Sequence, residues 1–178
     1  LKPVLKELAA SPGYLLDPRV YSVTIARNSE NTITVREEPT CDSGQLRIRK
    51  TDGDGNPITE CAAVFKVEFF PNDAWSGATV KTWYFKTTNG ICWLNNGSYL
   101  DGSRTSSAFY LDGDGTICYP IGTVKITETA APDGYSRSNV ELLARIAQDS
   151  TGGPAVWHWA TDADGVISYE AGGAAFQN

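Results

Sequence analysis

The chain has 178 residues, a formal net charge of −6 and 20% charged side chains. That length can bury a real core, and one domain plus a fragment fits it. The acidic balance and the lack of a basic stripe argue against a nucleic-acid partner, and no apolar run approaches membrane-spanning length.

The chain begins with Leu1 and contains no Met. No signal peptide, sorting signal or anchor is visible, so it reads as a piece of a longer polypeptide. Val4 to Ala10 is the one stretch that passes for helix, and Pro3 and Pro12 bound it closely. Tyr21-Val23-Ile25 and Ile33-Val35 alternate across a polar turn from Arg27 to Asn31, as a hairpin would. A module boundary is expected near Glu38-Pro39-Thr40-Cys41-Asp42-Ser43-Gly44. Further strands are predicted at Leu46 to Lys50, Phe65 to Phe69, Thr79 to Thr87, Val124 to Glu128, Val140 to Ala147 and Val156 to Trp159. Turn signals fall at Asp52 to Pro57, Asn89-Gly90, Asn96-Gly97, Asp112 to Gly115 and Asp162 to Gly165. Asn95 to Ser107 is polar and rich in Ser and Gly, and reads as an inserted loop spanning about 95–110. Many short strands with regular turns predict an all-β, antiparallel sandwich.

Three of these strands end oddly. Strand side chains alternate faces, so Lys50 shares a face with Leu46 and Ile48, while Gln45, Arg47 and Arg49 take the other. Glu128 follows Val124 and Ile126 in the same way, and Asn178 follows Ala174 and Phe176. An amine, a carboxylic acid and a carboxamide are thus aimed at one core. A buried charge is costly unless paired.

The segment Glu128-Thr129-Ala130-Ala131-Pro132-Asp133-Gly134-Tyr135 also has an echo in Glu7-Leu8-Ala9-Ala10-Ser11-Pro12-Gly13-Tyr14. Glu7 and Glu128 stand 121 residues apart, a domain-sized period. The chain therefore reads as the end of one module, residues 1–40, followed by a whole second module, residues 41–178.

Cys41, Cys61, Cys92 and Cys118 form no CxxC pair, and His158 is the one His, so zinc spacing is missing. Two disulfides in a secreted protein is the preferred reading. Sequence leaves three pairings open. The Cys92 and Cys118 flanks of the insertion favour that pair, with Cys41 and Cys61 left over.

These residues resemble the collagen-adhesin B-type (Cna-B) domain, also found in SpaA-type Gram-positive pilins. The Lys-x-Asp motif of that family is matched by Lys50-Thr51-Asp52, and Cys61-Ala62-Ala63-Val64-Phe65 approximates its Gly-Ala-x-Phe. The family's E-box, Glu-Thr-x-Ala-Pro-x-Gly-Tyr, is nearly verbatim at 128–135, and Phe176-Gln177-Asn178 fits its final strand. The resemblance implies a prealbumin-like, inverse-immunoglobulin sandwich. It also implies a stalk module of a wall-attached bacterial surface protein, in which Lys50 and Asn178 are joined by an isopeptide bond with Glu128 as promoter. Neighbouring modules of the same polypeptide are the implied partners, with a host extracellular protein or glycan as a further class.

The chemistry has its own logic. Burial disfavours the charged form of an amine and of a carboxylic acid alike. A neutral amine can attack a carboxamide carbonyl while a neutral acid hydrogen-bonds its oxygen and passes a proton to the leaving ammonia. Each chain would react once on itself, so no enzyme, cofactor or metal is called for. In the first module Glu7 keeps the acid, but Glu37 stands where the family's Asn or Asp is expected.

Rival readings are weaker. The Asp-x-Asp-Gly turns lack the Gly and Glu spacing of a calcium loop. Trp157-His158-Trp159 could face a sugar, yet aromatic strands usually fill sandwich cores. No nucleophile accompanies His158 for a hydrolase triad. Asn96-Gly97-Ser98 is formally a glycosylation sequon and equally an ordinary turn. A ligand-binding adhesin module using the 95–110 insertion is the main alternative, because loops on rigid scaffolds commonly bind.

Overall fold

The computed structural model describes residues 3–28, 30–35, 37–42, 44, 46–160 and 174–177. The strands in chain order are β1 (Val4–Lys6), β2 (Val20–Ser22), β3 (Cys41–Asp42), β4 (Arg47–Thr51), β5 (Val64–Phe70), β6 (Lys81–Lys86) and β7 (Ile91–Trp93). They continue with β8 (Tyr110–Leu111), β9 (Ile117–Pro120), β10 (Gly122–Ala130), β11 (Glu141–Gln148), β12 (Ala155–Ala160) and β13 (Ala174–Gln177). Among the described residues there is no α-helix, only a 3-10 turn at Gly97–Tyr99. The protein is all-β, and its main sheets are antiparallel.

A five-stranded sheet runs in the order β12-β11-β10-β5-β6. A second sheet, β13-β4-β7, contributes Leu46, Ile48, Cys92 and Leu94 to the same buried cluster as Phe65, Val67, Phe69, Trp83, Val124, Ile126 and Ile146. Two layers on one core is the sandwich-like outcome that alternating strands demand. One pairing departs from the antiparallel expectation: β13 runs parallel to β4, with Phe176 opposite Lys50.

Val4–Lys6 is a strand, not helix, and pairs antiparallel with β2. Tertiary pairing overrides the local helix-compatible pattern there. The predicted strand at Ile33-Val35 does not form, because among the described residues no neighbouring strand hydrogen-bonds to it. The turn Asp162 to Gly165 lies outside the described residues.

Both edges of the five-stranded sheet are covered by side chains. On β6, Thr82 N–H donates to Ser107 Oγ at 3.1 Å and Tyr84 N–H to Ser106 Oγ at 3.0 Å. On β12, Ala155 N–H donates to Thr40 Oγ1 at 2.6 Å and Trp157 N–H to Asp42 Oδ2 at 2.8 Å. Such caps satisfy edge N–H groups that would otherwise invite another strand. The insertion thus lies along β6, and its Phe109 stacks on Trp83 with centroids 5.8 Å apart.

The disulfide expectation is corrected. Cys41 and Cys118 are bonded, with Cα atoms 5.6 Å apart, and Cys61 and Cys92 are free thiols. Pairing of β3 with β9 sets Cys41 opposite Pro120 and so brings it to Cys118. Cys92 instead sits opposite Ile48 on β7, with its side chain in the core.

A buried lysine and carboxylate between the two sheets

Lys50 is held at its backbone on two sides. Its N–H donates to Gly90 O at 2.7 Å, and its carbonyl accepts from Ile58 N–H at 3.0 Å. The close approach is a turn effect: Asn89 and Gly90 both have positive φ, 51° and 73°, as a tight hairpin requires. Alternation then turns Arg49 outward and Lys50 inward, beside Ile48.

Glu128 arrives from the other sheet, near the end of β10. Its strand alternates as predicted, with Val124, Ile126 and Glu128 buried and Lys125 and Thr127 less so. The register against β5 breaks between Glu128 and Ala130, where Thr129 Oγ1 donates to Val64 O at 3.2 Å. A bulge of this kind re-aims the side chains around it.

The two side chains meet. Lys50 Nζ lies 3.1 Å from Glu128 Oε1, and both side chains are 0% exposed. The other carboxylate oxygen, Oε2, accepts the Ser138 N–H at 2.6 Å. A short bond to a carboxylate is strong and fixes the group's orientation. The arrangement can therefore hold an amine and an acid in contact, out of water, with one carboxylate oxygen anchored and the other facing the amine.

Residue 178 lies outside the described residues. The neighbouring β13 ends at Gln177, opposite Thr51, and its parallel register runs along the Lys50 strand. Ser138 was not singled out from the sequence. The first copy makes the same bond: Glu7 Oε2 accepts the Asp17 N–H at 2.6 Å, again ten residues on. Glu37 accepts the Ser11 hydroxyl at 3.3 Å.

The other candidates resolve as local chemistry. Asp52 Oδ1 accepts from Asp54 N–H and Asn56 N–H, and Asp112 Oδ1 from Asp114 N–H and Thr116 N–H. Each carboxylate is thus engaged in its own turn. No cluster of three or more metal-ligating side chains occurs among the described residues. Trp157 packs edge-on to Tyr119 at 5.3 Å, and His158 Nε2 lies 2.9 Å from Asp149 Oδ1 at the surface. Asn96 Oδ1 accepts from Ser98 N–H and Oγ, a turn closure within the sequon. No protein-family model matches the chain, and no curated protein matches it significantly.

Proposed function

We propose that residues 41–178 are a structural stalk module of a bacterial cell-surface pilin or adhesin, with residues 1–40 as the end of a like module before it. The module is stabilised by an autocatalytic isopeptide bond between Lys50 and Asn178, promoted by Glu128. The observation that carries this reading is the water-free contact of Lys50 and Glu128, 3.1 Å apart, on strands from two sheets. A plain ion pair is a poor reason to bury both groups, since apolar residues in their place are often as stable. The parallel seat of β13 beside β4 adds support, because it leads the chain's last residues along the lysine's own strand.

In the reaction the Lys50 amine nitrogen attacks the Asn178 side-chain carbonyl carbon. The new C–N bond forms, the old amide C–N bond breaks, and ammonia leaves with the proton that Glu128 relays. Fixed geometry supplies the effective concentration. The aromatic side chains of the 95–110 insertion pack against the core and its hydroxyls cap β6, which favours a scaffold role over a ligand surface. The wider setting, a protein attached to a cell wall and assembled with its neighbouring modules, belongs to the same proposal.

Intact mass tests it. The wild-type chain is expected to lack one ammonia beyond the two hydrogens lost at its disulfide, and Glu128→Ala to regain it. Full mass in folded wild type sinks the bond.

A further inference from the structure

Under the 121-residue offset, the turn at 132–137 repeats the turn at 11–16. The two close alike. Tyr14 N–H donates to Ser11 O and Tyr135 N–H to Pro132 O, each at 3.1 Å. Gly13 and Gly134 both occupy the left-handed region, at φ 86° and 85°. The flanking strands agree as well: Leu5 faces Tyr21 in β1–β2, and the same offset gives Ile126 facing Leu142 in β10–β11.

The turns differ in what bonds to them. Gly13 N–H donates to Gln148 Oε1 at 2.9 Å, and Gln148 Nε2 donates to Tyr14 O at 3.1 Å. Leu16 N–H donates to Gly152 O at 3.1 Å. Gln148 is itself steadied by a bond from Nε2 to Gly153 O at 2.8 Å. One carboxamide thus reads a donor and an acceptor of the turn together. In the second turn, Gly134 N–H and Arg137 N–H have no hydrogen-bond partner among the described residues, and residues 133–137 are exposed. A Cβ built at Gly134 would meet nothing within 4 Å.

We propose that the exposed residues 133–137 of this turn are the docking surface for another module of this kind, received on a face equivalent to Gln148–Gly153. The inference rests on reading residues 1–40 as the end of a like module. A glutamine carboxamide would take Gly134 N–H and Tyr135 C=O, and a turn carbonyl would accept Arg137 N–H. Exposed turns are common. What sets this one apart is that its structural counterpart has the same backbone groups hydrogen-bonded to residues 148–153 in the same molecule.

A tandem polypeptide tests it: residues 1–178 followed by a second 39–178. The second unit carries its own core, since the buried cluster runs from Leu46 to Trp157. Its Gln148 face has no 11–16 turn of its own. A version with a flexible Gly/Ser joint is run beside it, so that strain at one junction does not decide the result. Amide exchange at Gly134 and Arg137 of the first unit is expected to slow roughly tenfold relative to the natural chain. Gln148→Ala in the second unit alone should restore the natural rate. Gln148→Glu, which keeps an acceptor, should retain protection at Gly134. Unchanged exchange at Gly134 in both tandems overturns the proposal. In the natural chain, Gln148→Ala should speed exchange at Gly13. If Gly13 responds and Gly134 does not, only the docking proposal falls; if Gly13 does not respond, the parent interface fails with it.

Discussion

The two glutamates of the repeat sit in the same local frame and in different solvents. Glu7 and Glu128 each accept a backbone N–H ten residues on, at 2.6 Å. Their strands share one register under the offset. Yet Leu5, one alternation before Glu7, is 52% exposed, while its counterpart Ile126 is 0% exposed. The strand, turn and anchoring bond are local properties of the segment. What turns Glu128 into a dry partner for an amine is a second sheet, with β4 and Lys50 against it; among the described residues β1 pairs only with β2. Chemistry here follows burial, and burial is not encoded in the eight residues themselves.

The sharpest way to break that comparison is to alter each carboxylate in turn. Glu128→Ala leaves an amine buried without its acid, which costs about 3–5 kcal/mol. Loss of a cross-link closing a loop of this size would remove a similar amount again, roughly 4–5 kcal/mol. A large fall in melting temperature is expected, on the order of 15–40 °C. Lys50→Ala should do the same. Glu7→Ala removes one hydrogen bond at a partly exposed site and is expected to cost about 1 kcal/mol. Calorimetry on the three variants checks this; equal shifts at Glu7 and Glu128 would mean that burial makes no difference.

Force sharpens it next. With Lys50 and Asn178 joined, end-to-end pulling should extend only residues outside 50–178. In Lys50→Ala the oxidised chain should release the residues beyond Cys118 while the disulfide keeps its loop closed, across a sequence separation of 77. Reduction should then add that loop, up to roughly 250–280 Å of chain at full extension. Wild type should extend equally before and after reduction. A wild-type length that grows on reduction would show that the disulfide, not an isopeptide bond, holds the module.

Much of this was legible in the sequence, and the reasons differ by residue. Alternation placed Lys50 and Glu128 inward, because a strand that shares a core has a wet and a dry face and both strands kept their phase. The turns at Asp52, Asn89 and Asp112 were legible because their chemistry is local. The short strands β3, β7, β8 and β9 were not, since two to four residues carry too little period to read. The disulfide went wrong for the same reason: Cys41 reaches Cys118 only through the β3–β9 pairing, a long-range contact with no local signature. The Ser138 anchor was missed because it is a backbone N–H, which no residue type advertises.

Acid offers a smaller, regional effect. Hydrogen bonds from the Arg19 guanidinium, and then from the Tyr21 hydroxyl, hold the Asp17 carboxyl well below the usual carboxylate range. A depressed acid contributes stability that is complete above its unfolded value, near 3.9, and is lost as pH falls through the folded value. Acidification below about pH 4 should therefore loosen residues 17–21 while the 46–157 core persists. Asp17→Asn should flatten that step. Amide signals of Arg19 followed against pH read it, and an unchanged acid profile in the variant would reject the assignment.

The two free thiols give the smallest effect and the most local test. Cys61 is partly exposed, with Sγ 3.5 Å from Asp133 O in the turn at 132–137. Cys92 is 0% exposed, and burial pushes its thiol up to about 12. Alkylation needs thiolate and access, so at neutral pH Cys61 should react in the native protein and Cys92 should not. Denaturation without reductant should raise the count from one thiol to two, with Cys41 and Cys118 still bridged. Cys61→Ser should abolish native labelling and change stability by no more than about 0.5 kcal/mol, as expected of a surface site. Four thiols in denatured protein made under oxidising conditions would remove the bridge that ties β3 to β9. Native labelling at Cys92 would mean that β7 opens beside Ile48, one pair along β4 from Arg49 and two residues from Lys50. The dry lysine site would then be accessible to water on the labelling timescale, and the contrast between the two glutamates would shrink accordingly.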